Sequence, residues 1–433
     1  MTMNRRDLLK TSLAAGLFLP GISGLAYGDD SPNERVNVAL IGLGGQGGHQ
    51  VGGLRSQNIV ALCDCDDSRA GNVYGKFPNA KKFYDYRKMF DEMSNQFDAV
   101  AVSTPDHTHF HPSWIAMSLN KHLYLEKPMA HCVKECRILT EMAREKKLAT
   151  QLGMQRHAKP QMRRTIEAIK SGAIGEITHV FSRVGGDRGM RAPLDFSKPI
   201  PSGLDWEAWI GPAKFRPYTS DLCPYWWRFW WDYGTGETGN RCCPILEIPF
   251  WALDLTYPEK IAATGPEVDP ERTSKSMNVV FDFPAIDGRG PVKLYWSHGG
   301  FDLAIRQYRD QFPNIRMGNN FFVGTKGVIS CDFDWHEVRL FDKTAEYQKP
   351  EETIPPSPGF HREWINAIKG GEPATCNFDF SGKIAEAGLL GNAAYRVGAA
   401  EPIRWNWKEI KSPDCAAIDE FNYPNYRKGW EIG

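Results

Sequence analysis

The chain has 433 residues, long for one domain and suited to two. Basic and acidic side chains balance at 52 each, and no dense basic stripe is present, which argues against nucleic acid as the main partner. The ten cysteines are scattered rather than set in the regular spacing of a small disulfide framework.

Asn4-Arg5-Arg6-Asp7-Leu8-Leu9-Lys10 is a twin-arginine segment. A modest apolar run follows, Leu13 to Leu19, broken by Pro20 and Gly21, with small residues at Gly24-Leu25-Ala26. Residues 1–26 therefore resemble a Tat export signal, too short and too rich in Gly and Pro to span a bilayer. The expected partner during export is the Tat translocon, the expected destination the periplasm or another exported location, and no membrane span is expected in the mature form. Tat substrates travel folded, so most cysteines are expected as free thiols; Cys132 and Cys136, one helical turn apart, read as core positions.

Residues 34–155 alternate strands and helices, the pattern of a parallel, doubly wound Rossmann sheet. Val36, Val38, Leu40 and Ile41 form a buried strand, and Gly42, Gly44 and Gly47 follow it as G-x-G-x-x-G, with Gly45 and Gln46 between the last two. Such glycines permit a tight turn, let a pyrophosphate approach the backbone, and let a helix pack close to the strand. Asn58 to Cys63 reads as the second strand, and Asp64 ends it where a carboxylate accepts from ribose hydroxyls. Strand, glycines, strand and acid in this order predict a bound dinucleotide. Asp64 favours NAD over NADP, with Arg69 near enough to admit a 2′-phosphate.

Further strands are predicted at Ala99–Val102, His122–Leu125 and Ala149–Met154, with a helix over Val133–Lys147. Ligands of such sheets bind beyond the carboxyl ends of the strands. Two stretches fall there, Ser103-Thr104-Pro105-Asp106-His107-Thr108-His109 and Glu126-Lys127-Pro128. Lys127 is placed to carry a proton to or from a hydroxyl being oxidised, aimed by the turn at Pro128. His107, His109 and His111 alternate, yet no cysteine or carboxylate spacing completes a metal site, so they are expected to line the cofactor or cap a helix; no metal is expected.

Residues 156–433 are expected to form an α+β domain with an open, mostly antiparallel sheet, a C-terminal helix and a tail. Gln161 to Ser171 reads as a helix stopped by Gly172. Ile177–Val184, Met277–Phe283 and Val292–Ser297 read as strands, the last two around an Asp287-Gly288 turn. Arg191–Trp209 and Glu259–Thr273 read as excursions over the surface, and Ser381–Val397 as a helix. Tyr225 to Trp231 is an aromatic run that can stack on sugar rings or pack between domains; Arg228 within it can bind a substrate carboxylate or stack.

Taken together, Gly42-x-Gly44-x-x-Gly47, Asp64, Thr104-Pro105-Asp106-x-x-His109 and Glu126-Lys127-Pro128 resemble the Gfo/Idh/MocA oxidoreductases, a family that includes glucose-fructose oxidoreductase and inositol dehydrogenases. Ser171 to Ile177, Trp230 to Gly236, Gly324 to Gly327 and Tyr426 to Trp430 extend the likeness. The resemblance implies hydride transfer between NAD(P) and a sugar, cyclitol or related polyol, and a homo-oligomer, dimer or tetramer. It makes Lys127 catalytic and places Gln155 and Arg156 near nicotinamide and substrate. Trp231 and Asn240 join Lys127 and Arg156 as expected substrate contacts.

One departure stands out. The family often has Asp or Asn, three residues, then a catalytic His; here Asn240 is followed by Pro244. A proline moves no proton. Lys127, His157 or Glu237 then takes it, or the chain binds carbohydrate without oxidising it, or the recorded sequence is in error between Arg241 and Pro244. A cofactor-dependent redox glycosidase is a third class of function compatible with these motifs.

Overall fold

The computed structural model describes residues 34–300 and 303–432. The expected export signal, residues 1–26, lies outside them.

Six short apolar runs form the first sheet: β1 (Asn37–Ile41), β2 (Asn58–Cys63), β3 (Lys81–Phe83), β4 (Ala99–Val102), β5 (His122–Leu125) and β6 (Thr150–Leu152). All pairs are parallel, in the order β3-β2-β1-β4-β5-β6. Helices α1 (Gly47–Leu54), α2 (Asp67–Tyr74), α3 (Tyr86–Met93), α4 (Phe110–Ser118) and α5 (Val133–Glu145) make the crossovers. The strands read as continuous apolar runs because both faces are covered; all four residues of β4 are buried. The strand order reverses between β1 and β4, which opens a crevice at their carboxyl ends.

The second sheet has eight strands in the order β13-β12-β11-β7-β10-β9-β8-β14. They are β7 (Ile177–Val184), β8 (Lys260–Thr264), β9 (Met277–Phe283), β10 (Val292–His298), β11 (Asn320–Gly324), β12 (Gly327–Asp332), β13 (Trp335–Leu340) and β14 (Ile403–Arg404). Only the β7–β10 pair is parallel. Along β9, Met277, Val279, Phe281 and Phe283 are buried and the residues between are half-buried, the period-two pattern of a sheet with one covered face. Asp287 and Gly288 lie in the β9–β10 connection, and Phe283 pairs with Val292.

Two of the expected surface excursions are structural. Glu259–Thr273 contains β8, whose Ile261, Ala262 and Ala263 are buried between β9 and β14. Its small alanine side chains carry little strand propensity, and sheet position decided the outcome. Arg191–Trp209 runs back over the first sheet's domain: Asp67 N donates to Gly203 O at 2.9 Å and Asp205 N to Cys65 O at 2.8 Å, while Trp206 and Trp209 are buried.

Three helices knit the layers: α6 (Pro160–Lys170), α7 (Gly236–Ala252) and α8 (Phe378–Arg396). The last begins three residues before the expected start because the Asn377 side chain accepts from Phe380 N at 3.2 Å and caps it. Gly382 lets α8 approach α5; a Cβ there would lie 2.2 Å from Thr140 Oγ1. Beside it, buried Arg137 of α5 pairs with buried Glu386 of α8 at 2.7 Å. All ten cysteines are free thiols, and only Cys65 and Cys415 are not buried. No helix among the described residues is long and apolar enough to cross a membrane.

Candidate active site

The crevice at the strand-order reversal is a cavity of ≈ 500 Å³. Gly42 turns the chain out of β1 with φ +81°, and Gly47 opens α1. A Cβ on Gly42 would sit 2.6 Å from Ser103 O, and one on Gly47 would sit 2.1 Å from Gly42 O. Neither position has room for a side chain, so the backbone itself forms this wall. Asp64 lies across from it, its Oδ2 accepting from Leu43 N at 2.7 Å and its Oδ1 from Asp66 N at 3.0 Å. Burial raises its pKa while the two N–H donors work against that shift.

Ser103 Oγ, Thr104 Oγ1 and Glu126 Oε2 line the same cavity, enclosed and without hydrogen-bond partners. Orphaned polar atoms beside a glycine-walled turn are what a bound dinucleotide would satisfy. The residues present thus fit NAD: Gly42, Gly44, Gly45, Gln46, Asp64, Thr104, Pro105, Asp106, His109, Glu126 and Lys127 all line the cavity. Gly47 acts one step back, as the helix–strand contact. Gln155 also acts indirectly, its Nε2 donating to Glu126 Oε1 at 2.7 Å.

The loops after β4 and β5 are pinned by histidine and carboxylate. The His109 ring lies between Thr104 O at 2.8 Å and Pro128 O at 2.6 Å, and burial lowers its pKa. His107 lies between Tyr233 O and Trp209 O, pushed down to about 4 by burial, and His111 meets Trp430 O. Asp106 Oδ2 accepts from Thr235 N at 3.1 Å and Thr235 Oγ1 at 2.6 Å, which ties the β4 loop to the start of α7.

Lys127 follows β5 and precedes Pro128 across a cis peptide bond. Its Nζ donates to Asn240 O at 2.9 Å and lies 3.3 Å from Asn240 Oδ1. Pro244 explains why that carbonyl is open. In a helix the N–H of residue 244 would close on the carbonyl of residue 240, and proline has no N–H. The same device recurs one turn on: Pro249 leaves Ile245 O open, and Asn320 Nδ2 donates to it at 3.1 Å. Pro244 itself is half-buried and outside the cavity lining. Where a proton-carrying His was looked for, the chain has a helix defect that gives Lys127 an acceptor.

Three expected positions also lie outside the lining. His157 is buried, stacks on Trp251 with centroids 4.2 Å apart, and meets Glu247 Oε2 at 3.2 Å. Burial pushes its pKa down to about 3 and raises that of Glu247, both shifts in the direction that favours uncharged side chains. Arg156 is exposed and covers the Phe333 ring at 4.4 Å. Trp231 is packed, its Nε1 donating to Asp269 O at 3.1 Å. The aromatic run divides: Tyr225, Trp227 and Arg228 reach the cavity, while Phe229, Trp230 and Trp231 are core. Arg188, Arg241 and Trp430 also line it. Arg188 sits in a glycine-rich coil with no periodicity to mark it, and Arg241 was legible only as the neighbour of Asn240.

Residues 36–154 match the model of an oxidoreductase family with an NAD-binding Rossmann fold, and residues 191–284 match that family's C-terminal α/β domain. The chain therefore belongs to the Gfo/Idh/MocA oxidoreductase family. It is similar to an inositol 2-dehydrogenase of Rubrobacter xylanophilus, 33% identical over 150 residues, 33% of this chain and 42% of the relative. A glycosyl hydrolase family 109 protein of Solibacter usitatus is 27% identical over 199 residues, 41% of this chain and 44% of the relative. The matched stretch thus spans less than half the length of these curated relatives. Among solved structures, the WlbA dehydrogenase from Bordetella pertussis in complex with NADH and UDP-GlcNAcA superimposes with TM-score 0.59 at 15% identity, covering 86% of this chain and 99% of that one. A levoglucosan dehydrogenase in complex with NADH and levoglucosan gives 0.56 at 15%, covering 84% and 97%. Identities this low establish a shared fold.

Replacing Pro244 with Ala restores the missing N–H and sets it in competition with Lys127 for Asn240 O. Removing an interior helical proline is expected to raise stability by about 2 kcal/mol, the helix gain of ~3 less up to ~1 for the proline's effect on the unfolded chain. Denaturant titration checks the shift, and slow hydrogen exchange at the new amide 244 would show the helix bond formed. A less stable variant with a freely exchanging amide would contradict this reading of the helix.

Proposed function

We propose that the protein is an exported, NAD-dependent oxidoreductase that transfers hydride to or from a hydroxyl-bearing carbon of a sugar, cyclitol or related polyol. The observation that carries this is Lys127, held by Asn240 in the same cavity as the glycine-walled turn and Asp64. NAD bound along Gly42–Gln46, Asp64 and Thr104 would supply the hydride acceptor. Lys127 Nζ acts as the neutral amine: it donates an N–H to Asn240 O and takes the proton of the reacting hydroxyl on its lone pair, becoming an ammonium as the hydride leaves the carbon; Asn240 orients Lys127 and offers an amide to the substrate. With Pro244 unable to act and His157 enclosed against Glu247, Lys127 is the proton carrier.

Tight retention of the cofactor is part of the proposal. Gly203 and Asp205 bond to the segment after β2, and Trp209, Cys223 and Trp227 line the cavity beside it. A dinucleotide held against this strap leaves only if the strap lifts. Retention suits an exported protein, since free nicotinamide cofactor should be scarce outside the cytoplasm, and successive substrates would reduce and reoxidise the same molecule. Export itself rests on Arg5-Arg6 and the apolar run behind them. A homo-oligomer built on the second sheet belongs to the same proposal. A second reading, a redox glycosidase, has the family 109 relative in its favour; cofactor-dependent release of a chromophore from a glycoside would mark it.

Lys127→Met is expected to keep its dinucleotide and lose about 10²–10⁴-fold in hydride transfer rate, the usual range for a general base. Equal turnover in the variant would remove Lys127 from the chemistry. Changing Arg5 and Arg6 together to Lys is expected to hold the protein in the cytoplasm of a Tat-competent bacterium, read by cell fractionation; unchanged export would overturn the signal assignment.

A further inference from the structure

The region where Lys127 meets α7 carries more positive charge than a neutral polyol needs. Arg188, Arg228 and Arg241 line it together with Lys127. One buried carboxylate, Glu237, faces this group. Arg188 Nη1 lies 3.5 Å and Arg241 Nε 3.6 Å from the same Glu237 oxygen, and its other oxygen accepts from Asn240 Nδ2 at 3.1 Å. One carboxylate is therefore shared at long range by two guanidinium groups and an amide. The acids of the lining have other partners: Asp106 has Thr235, Glu126 has glutamine amides on one oxygen, Asp64 has backbone N–H groups, Asp66 has Ser68 and Asp85 has Arg87.

Arg228 has no carboxylate at all among the described residues. Its guanidinium lies over the rings of Trp227 at 4.4 Å and Tyr225 at 4.7 Å, and its Nε is enclosed with no hydrogen-bond partner. Gly234 fixes its backbone; a Cβ there would stand 2.3 Å from Arg228 Cα. Arg188 donates to the Tyr225 hydroxyl, so the aromatic pair braces two of the three cations. Arg228 is half-buried, and a guanidinium held by ring faces with no carboxylate beside it keeps its planar donor edge for an anion.

We propose that the substrate is an acidic carbohydrate, whose carboxylate or phosphate is bound by Arg228 with Arg188 and Arg241 while its hydroxyl meets Lys127. The proposal rests on the oxidoreductase reading for the fate of the hydroxyl, but the anion site is testable without it.

The full-length protein with its bound cofactor is titrated with D-glucuronate, D-glucose 6-phosphate and D-glucose, following tryptophan emission, with nicotinamide absorbance recorded in parallel. At least one anion is expected to bind about tenfold or more tighter than glucose, and added salt is expected to weaken it. Tighter glucuronate identifies a carboxylate site, and tighter glucose 6-phosphate a phosphate site. Arg228→Gln is expected to abolish that preference and Arg228→Lys to restore part of it. Arg241→Gln, at a side chain 49% exposed and so safe for folding, is expected to weaken the anion and leave glucose unchanged. Equal binding of all three sugars, binding of none, or an anion preference untouched by both glutamine variants would overturn the proposal. Anion binding without any absorbance change would keep the anion site and count against hydride transfer. A neutral polyol that changes the absorbance equally in wild type and both variants would do the reverse.

Discussion

One backbone carbonyl, that of Asn240, holds the two halves of the cavity in register. It sits on α7, which belongs with the second sheet, and it receives Lys127 from the carboxyl end of β5 in the first. A helix normally keeps such a carbonyl for itself; it is open here because Pro244 brings no N–H. The contact places the Lys127 amino group beside α7 and joins the dinucleotide wall to the far wall of the cavity. Asp106 and Thr235 make a second tie between the same two walls, with the carboxylate accepting from the backbone N–H and the hydroxyl of Thr235, the residue before α7. Moving α7 would thus disturb both the lysine and the loop after β4.

Glycine and burial do complementary work around that tie. Gly42 and Gly47 have no space for Cβ atoms, so the backbone of this turn can come close to a ligand. Behind it, polar side chains are arranged in hydrogen-bonded pairs, His157 with Glu247 and Gln155 with Glu126, each leaving one carboxylate oxygen without a partner. The charges left exposed to the cavity are the ones a ligand can use, and most of them are positive on the substrate side. At the dinucleotide end Trp209 and Trp227 line the cavity together with Asp66, Arg69, Asp85 and Arg87, charges of both signs.

How much of this the sequence disclosed depended on whether the signal was local. The glycine turn, Asp64 and Lys127 each sit at the end of a short apolar strand, where sequence neighbours define the chemistry, and they were legible. The strands β11 to β13 escaped notice because tight turns, as at Gly324 to Gly327, break them into pieces that only sheet pairing joins, and β8 because Ala262 and Ala263 carry little strand propensity. The cation cluster was invisible as a cluster: Arg188, Arg228 and Arg241 come from three separate segments. His157 misled because it follows Gln155 and Arg156, yet one short helical turn sends it inward to Glu247. Pro244 was read correctly as unable to carry a proton; its effect on the carbonyl four residues back required the helix to be seen.

The measurement that bears most directly on the account is the near-ultraviolet absorbance of the exported protein, purified with no cofactor added, while sugars, cyclitols and sugar acids are supplied in turn. The account predicts that reduced nicotinamide is present or appears with one of them, and that the signal reverses when an oxidised partner sugar follows. A protein that emerges without dinucleotide, neither binds added NAD nor changes its absorbance with any of these compounds, would contradict it.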